Sequence, residues 1–410
     1  GRYNGRYLHP GYHYISTLST SVDSWIIDGK KVQSTQKPTI VSSTLTWEKV
    51  TTLDLGLDAR FFNDALGVTF DWYNRTTSDI LTTANLPATL GADAPYENMG
   101  TIQTKGWELA IDYRHTFKNG LHFGVTASVA DDKTEVTKWT YNTKIPSYGA
   151  TGWWDKSAYK EGMVLGDIWG LQFDRFLTED DFNADGSLKA GLPDQTKVFP
   201  AGYQFAPGDV LYKDLDNNGE IVKQTNTNDK GDLSVIGNAL PRLQFGLNLD
   251  AAWKGFDISM FFQGVAKRKL WAAGNQVLPG FTTGEPFYKG AEDYWTPENT
   301  DAFYPRPMDY KQSASGNYSV NDRYLLNMAY LRLKTFTVGY SLPKVWLSKF
   351  KVQGLRVYFT GENLFTIDGV KPAIDPEIGI RTASGKSDQR NFGRSYPYQK
   401  TVSFGIQLSL

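Results

Sequence analysis

The sequence predicts an all-β protein, an antiparallel transmembrane β-barrel with long extracellular loops. Three observations predict it: apolar residues alternate with polar ones at period two over stretches of about 16 residues, short and long connections alternate strictly, and helical periodicity is nearly absent. Soluble strands typically run to about 5–6 residues, whereas a tilted membrane strand needs about 9–11 and can project beyond the bilayer.

Residues 1–45 show no clear alternation and read as a lead-in loop. In 46–62, Leu53, Leu55, Leu57, Ala59 and Phe61 alternate with Asp54, Gly56, Asp58 and Arg60. After a turn at Asn63-Asp64, 65–80 carries Leu66, Val68, Phe70 and Trp72 in the same phase. The stretch 103–118 presents Trp107, Leu109, Ile111 and Tyr113. A loop at Lys118-Asn119-Gly120 pairs 117 with 121 and leads into 121–137, with Phe123, Val125, Ala127 and Val129. In 240–253 the apolar set is odd-numbered, from Leu243 to Trp253. Beyond Lys254-Gly255 it turns even, at Phe256, Ile258, Met260 and Phe262 of 256–271. A fold at 254–255 pairs 253 with 256, 251 with 258 and 249 with 260, putting both sets on one face. The stretches 330–342, 353–367 and 399–410 complete nine strands, the last with Val402, Phe404, Ile406, Leu408 and Leu410.

The connections near 63, 119 and 254 and at 343–352 are short; those at 81–102, 138–239, 272–329 and 368–398 are long. Loops beyond about 12–15 residues are uncommon in compact soluble domains, but membrane barrels carry short turns on one rim and long loops outside the cell. The turn at 254 must share a rim with those at 63 and 119, so the strand-like stretches 163–178 and 209–215 fall inside the excursion 138–239. Single-chain bacterial barrels have an even number of strands, so nine imply a piece of something larger.

Composition bounds the alternatives. The 410 residues carry a net charge of -1, which exerts no bulk pull on nucleic acid or acidic lipid. There is no cysteine, which excludes disulfides, zinc-cysteine clusters and thiol catalysis and fits an exported protein. No stretch approaches the roughly 18 apolar residues of a membrane helix, and GRYNGRYLHP at the start is not a signal peptide. His9, His13, His115 and His122 are scattered, with no nucleophile motif near them.

Several blocks resemble SusC/RagA-type TonB-dependent transporters. LTWEKVTTLDLGLDARFFNDALGVTFDWYNRTTSDIL at 45–81 and NMGTIQTKGWELAIDY at 98–113 follow two of that family's patterns. GDVLYKDLDNNGEI at 208–221, IGNALPRLQFGLNL at 236–249, YWTPENTDAFYPRP at 294–307, YLRLKTFTVGYSLP at 330–343 and LRVYFTGENLFTIDG at 355–369 follow in family order, with Asp375-Pro376-Glu377 after them. The resemblance implies the carboxyl-terminal part, strands 14 to 22, of a 22-stranded outer-membrane barrel of Bacteroidota-type bacteria. The plug, the TonB box and the earlier strands lie outside this chain. It also implies active import of oligosaccharide or oligopeptide, energised through TonB-ExbB-ExbD, with a SusD-like surface lipoprotein and a dimer of transporter-lipoprotein pairs. The chain departs from the family in ending at Leu410, where an aromatic residue is common.

Candidate sites are few. Asp214, Asp216 and Asn218 stand at positions 1, 3 and 5 of an EF-hand-like loop, with Gly219 at the sharp turn, Glu220 next and Ile221 at position 8. Position 12 is Thr225, so Asp229 or Asp232 would have to complete a structural Ca²⁺ site; otherwise the loop is a solvated Asx-rich turn. A second, poorer match has Asp181, Asn183, Asp185 and Gly186. Trp153, Trp154, Asp155, Trp169, Trp271 and Trp295 are candidate substrate contacts, with Tyr294 and Tyr304 nearby; the competing reading packs such rings into loops or a membrane-boundary belt. Asp54, Asp58, Arg60, Asp71, Glu108, Asp112 and Arg114 form mixed-charge rows on the inward face. The alternatives to an importer are a secreted all-β carbohydrate-active protein, an adhesive β-protein and a passive porin. The first needs two carboxylates about 5–9 Å apart in a cleft, and the second needs internal repeats.

Overall fold

The computed structural model describes residues 16, 18, 20–35, 40–83, 94–140, 160–223, 230–272, 274–281, 287–308, 316–347, 352–371, 374–377 and 396–409. In chain order the strands are β1 (Thr20–Ile27), β2 (Lys30–Thr35), β3 (Lys49–Phe61), β4 (Leu66–Thr83), β5 (Tyr96–Thr116), β6 (His122–Trp139), β7 (Asp167–Gly170), β8 (Phe173–Phe176) and β9 (Val210–Tyr212). They continue with β10 (Ser234–Asn238), β11 (Arg242–Trp253), β12 (Phe256–Lys267), β13 (Lys269–Leu270), β14 (Leu326–Asn327), β15 (Tyr330–Ser341), β16 (Gly354–Asp368) and β17 (Thr401–Ser409). One helical turn, α1 (Lys344–Leu347), sits between β15 and β16.

Among the described residues nine strands form one antiparallel sheet in the order β17-β16-β15-β12-β11-β6-β5-β4-β3. These are the nine the alternation predicts. Trp253 pairs with Phe256, Ala251 with Ile258 and Leu249 with Met260, as the phase jump requires. The sheet does not close on itself among the described residues: β3 and β17 each have one paired edge. Strands β4, β5 and β6 run 18, 21 and 18 residues, several times a typical soluble strand.

The register gives the sheet two chemically opposite faces. One row of partners runs Ala59, Val68, Ile111, Ala127, Leu247, Phe262, Leu333, Phe365 across eight strands. The adjacent row, on the other face, runs Asp58, Thr69, Ala110, Ser128, Gly246, Gln263, Arg332, Thr366. The apolar face is uncovered: Leu57, Phe70, Ile111, Phe256 and Phe404 are all exposed. So broad an exposed apolar face suits hydrocarbon, not water.

Three departures from the sequence reading have local causes. Residues 20–35, expected to be loop, form the β1–β2 hairpin around Asp28-Gly29, where both residues have positive φ. The connection expected at 81–102 is shorter, because β4 extends to Thr83 and β5 starts at Tyr96. The pattern breaks there because Asp79 (φ 59) forms a bulge that shifts the register between Thr77 and Ile80. The stretch 163–178 is two strands rather than one, because β7 pairs with β10 and β8 with β9.

The motif residues around the bulge are structural stitches. The Asn98 amide donates to Asp79 O (2.6 Å) and Thr46 O (2.9 Å), and its oxygen accepts from Thr46 N (2.7 Å). Glu48 Oε1 accepts from Leu81 N at 2.9 Å. Two distant segments are thereby fastened to the long-connection end of the sheet.

Candidate functional site

The described residues of the connections 138–239 and 272–329 do not hang as separate loops. They fold together beyond one rim of the sheet around two apolar cores. One contains Ile168, Leu270, Trp271, Leu278, Tyr324 and Met328; the other contains Leu171, Val198, Val210, Tyr212, Ile221 and Trp295. Leu171 N donates to Val320 O (2.9 Å) and Phe173 N to Asp322 Oδ1 (2.8 Å), so the two excursions share backbone pairing. The side chain of Asp209 is fully buried where they meet. It accepts from Arg306 Nε (2.8 Å), Asn317 Nδ2 (2.9 Å), the Tyr203 hydroxyl (2.9 Å) and Ala206 N (2.9 Å). Burial and the adjacent carboxylate push the Tyr203 phenol well above its ordinary range, so it stays a neutral donor. Arg323 lies over Phe173 at 4.3 Å and Phe176 at 5.0 Å while donating to Phe303 O and Ala302 O (2.9 and 2.6 Å).

This packing accounts for most of the candidate tryptophans. Trp271 and Trp295 are buried, each in a different core, and Trp169 packs against the second. The structure does not bring the three together around one space. Trp153, Trp154 and Asp155 lie outside the described residues. Tyr294 and Tyr304 instead line a cavity of about 550 Å³, together with Phe287, Tyr288, Lys289 and Glu292. Burial raises the Tyr304 phenol to about 12, and it donates to Val277 O at 3.0 Å. The wall therefore presents ring faces and one charge of each sign. Sequence spacing missed the cavity because Phe287 and Tyr304 meet only through the tertiary fold.

The acidic loop 214–220 folds as an Asx-rich turn. Asn217 and Gly219 have φ of 58° and 86°, Gly219 N donates to Asp214 Oδ2 (2.8 Å) and Asn218 N to Asp216 Oδ1 (3.1 Å). Carboxylate oxygens of Asp214, Asp216 and Asp232 lie within 4.8 Å of one another. Oxygens on opposite sides of a calcium ion stand about 4.6–5.2 Å apart, so this trio fits one. Asp232, one of the two acids the spacing offered for completing the loop, stands with the pair Asp214 and Asp216. It accepts from Leu215 N (2.8 Å) and Val222 N (2.7 Å), and burial, with Asp216 and Asp214 adding to it, raises its carboxyl above the usual range. Asn218 Oδ1 is taken by Glu220 N at 2.7 Å, and Glu220 pairs with Lys197. Glu220 does not belong to the acidic trio. Thr225 and Asp229 lie outside the described residues. The second acidic stretch does not converge: Asp181 is held by both Arg175 Nη atoms (2.6 and 2.7 Å), while Asp185 accepts from Ser187.

On the polar face Arg60 pairs with Asp112 (2.7 Å) and Thr69 Oγ1 donates to Asp58 (2.7 Å), so part of the mixed-charge row satisfies itself. A stronger cluster was not legible. On β15, Lys334 stands at a register shift opposite β12. Arg332 reaches Asp375 (2.7 Å) and Glu377 (3.3 Å), and Lys334 reaches Glu377 (2.8 Å). Arg332 and Asp375 are buried, so the Asp-Pro-Glu segment is pinned to the inner wall. Arg332 is its main partner, and the Asp375 carboxyl lies below its ordinary range.

Comparison with known proteins bears out the geometry. The family described as TonB dependent receptor-like, beta-barrel matches residues 10–217. TonB-dependent receptor P3 of Formosa agariphila is 27% identical over 93% of this chain and 36% of its own length. TonB-dependent receptor SusC of Bacteroides thetaiotaomicron is 24% identical over 93% of this chain and 34% of its own. The chain thus spans about a third of the length of these curated relatives. Among solved structures, the RagAB peptide transporter superposes with a TM-score of 0.67 at 21% identity, covering 97% of this chain and 38% of that one. The chain belongs to the TonB-dependent receptor-like β-barrel family, as a nine-stranded part of an outer-membrane barrel of the SusC/RagA type.

Proposed function

We propose that the chain is the carboxyl-terminal wall and outer body of an importer that takes up oligosaccharide or oligopeptide nutrients across the outer membrane. The observation that carries this reading is the co-folded outer body at one rim of a lipid-suited sheet whose other face is polar. The connections 138–239, 272–329 and 368–398 are extracellular, and the short turns face the periplasm. TonB-ExbB-ExbD acts through a plug outside this chain, and a SusD-like lipoprotein caps the outer body in a dimer of pairs. The curated relatives are named TonB-dependent receptors, and the RagAB proteins are described as peptide transporters, which supports this assignment. The tyrosine-lined cavity near 287–294 is the substrate-facing candidate we favour, with Trp153, Trp154 and Asp155 as further candidates. Asp214, Asp216 and Asp232 hold a structural calcium ion that stiffens the outer body.

The test is growth and uptake. A strain lacking the receptor is supplied with oligosaccharide or peptide as sole carbon source, with and without ExbB. Loss of uptake in both mutants, and co-purification of a lipoprotein with the receptor, is the expected result. Uptake that persists without ExbB would overturn energised import in favour of a passive pore.

A further inference from the structure

The short-turn rim carries a localised positive sector that a net charge near zero conceals. The turns β5–β6, β11–β12 and β15–β16 carry Lys118, Lys254 and Lys344, all exposed. None of the three pairs with a carboxylate among the described residues. The turn β3–β4, next to β5–β6 on its other side, carries Asp64 instead and bounds the sector there. The lysine turns are fixed side by side. Trp253 Nε1 donates to the carbonyl of Asn119 (3.3 Å), joining the first two, and Ser341 N donates to Gly255 O (2.8 Å), joining the second and third. Gly255 has φ +88°, and a Cβ there would meet Ser341 O at 2.7 Å, so this close approach requires glycine.

Each turn also carries an exposed aromatic or lies beside one. Phe117 is 46% exposed, Trp253 44%, Phe256 58% and Trp346 61%. Trp253 and Phe256 continue the apolar face down to the turns, since Trp253 pairs with Phe256 and Phe256 with Tyr340. Lys254 Nζ lies 4.5 Å from the centre of the Trp253 ring, so its charge is steered to the edge of the apolar face. Rings at the acyl boundary with ammonium groups just beyond match the layering of a phospholipid, tails first and phosphate next.

We propose that this three-turn sector is a binding site for the headgroup of an anionic phospholipid. Lys118, Lys254 and Lys344 contact the phosphates, and Phe117, Trp253 and Phe256 seat the upper acyl chains. The proposal rests on the reading that this rim meets the phospholipid leaflet. The site lies on one sector of the wall, so it retains individual lipids and is not a uniform belt.

Native mass spectrometry of the detergent-extracted receptor tests this, with added phosphatidylglycerol or phosphatidylcholine. Phosphatidylglycerol should be retained preferentially. Each of Lys118→Gln, Lys254→Gln and Lys344→Gln should weaken retention by roughly fivefold, from the energy of one lysine near an anionic surface. The triple variant should retain both lipids alike, and excess inorganic phosphate should not displace the lipid. Equal retention of both lipids by the native protein, or unchanged preference in the triple variant, would overturn the proposal. Displacement by phosphate would overturn the lipid as occupant. Sidedness is read separately, by labelling Lys118→Cys on intact cells with an impermeant maleimide. Labelling there refutes the assigned orientation, whatever the detergent measurement gives.

Discussion

The carboxylate of Asp209 and the guanidinium of Arg306 meet at 2.8 Å, 97 residues apart in sequence, with the Asp209 side chain wholly buried. One belongs to the first long excursion and the other to the second. Removing the cation leaves a carboxylate without its charge partner in a desolvated site, a change that costs about 3–5 kcal/mol. Arg306→Ala should therefore loosen the outer body while the barrel wall persists. Limited proteolysis should cut within 160–233 and 287–308 much faster in the variant, with the heat-modifiable gel shift of the barrel unchanged. Equal protease resistance would show that the pair does not hold the excursions together.

The two faces of β11 offer a sharp contrast. Leu247 lies in the apolar row and Asn248 on the opposite face of the sheet. Leu247→Arg should cost about 2–4 kcal/mol if it sits near the bilayer midplane, whereas Asn248→Asp should be close to neutral. Reversible unfolding in phospholipid vesicles measures both. Equal tolerance at the two positions would refute the membrane assignment of the apolar face.

Acid should loosen the outer body through Asp181. Its hydrogen bonds to Arg175 hold the carboxyl down at about 2, against a usual value of 3.8. A depressed folded-state value means the contribution is fully present above about pH 4 and is lost as pH falls toward 2. The contribution is at most about 2 kcal/mol, because Arg175 is partly exposed and solvent screens the pair. Asp181→Asn should flatten the stability-against-pH curve between pH 4 and 2, read by tryptophan fluorescence. A curve parallel to that of the native protein would remove Asp181 from the account.

Calcium should raise the thermal midpoint of the outer body. Saturation at about a hundred times the dissociation constant stabilises by about 2.7 kcal/mol. The rise should vanish in Asp214→Asn and in Asp232→Asn, and persist in Glu220→Gln, because Glu220 pairs with Lys197. A rise lost in Glu220→Gln but kept in Asp232→Asn would restore the linear loop reading.

Period-two alternation revealed the wall because membrane strands are long, and each face meets a uniform medium, so Leu53 to Phe61 and Val402 to Leu408 carry their environment in their own spacing. The phase jump at Lys254-Gly255 even set the register. The outer body was opaque for the opposite reason. Val210, Tyr212 and Ile221 share their core with Leu171, Trp295 and Ala302, so no local period records their partners. The acidic loop lay between these extremes: Asp214 and Asp216 were visible at EF-hand spacing, while the approach of Asp232 to them depends on the fold that holds it through Val222 N and Leu215 N. Arg332 and Asp375, 43 residues apart, had no sequence signal beyond the Asp-Pro-Glu motif itself.

The shared cores of the two excursions tie the outer body to the part of the wall that lies between them in the chain. Trp295 and Ala302, from the second excursion, complete the core built by Leu171, Val210 and Leu233 of the first. Along the chain the first excursion is an unfinished half, and the residues that complete it lie beyond β11 and β12. Strand zippering in the membrane and loop closure above it are then kinetically coupled. A substitution that slows the β11–β12 hairpin should delay maturation of the outer body, though it touches none of its residues.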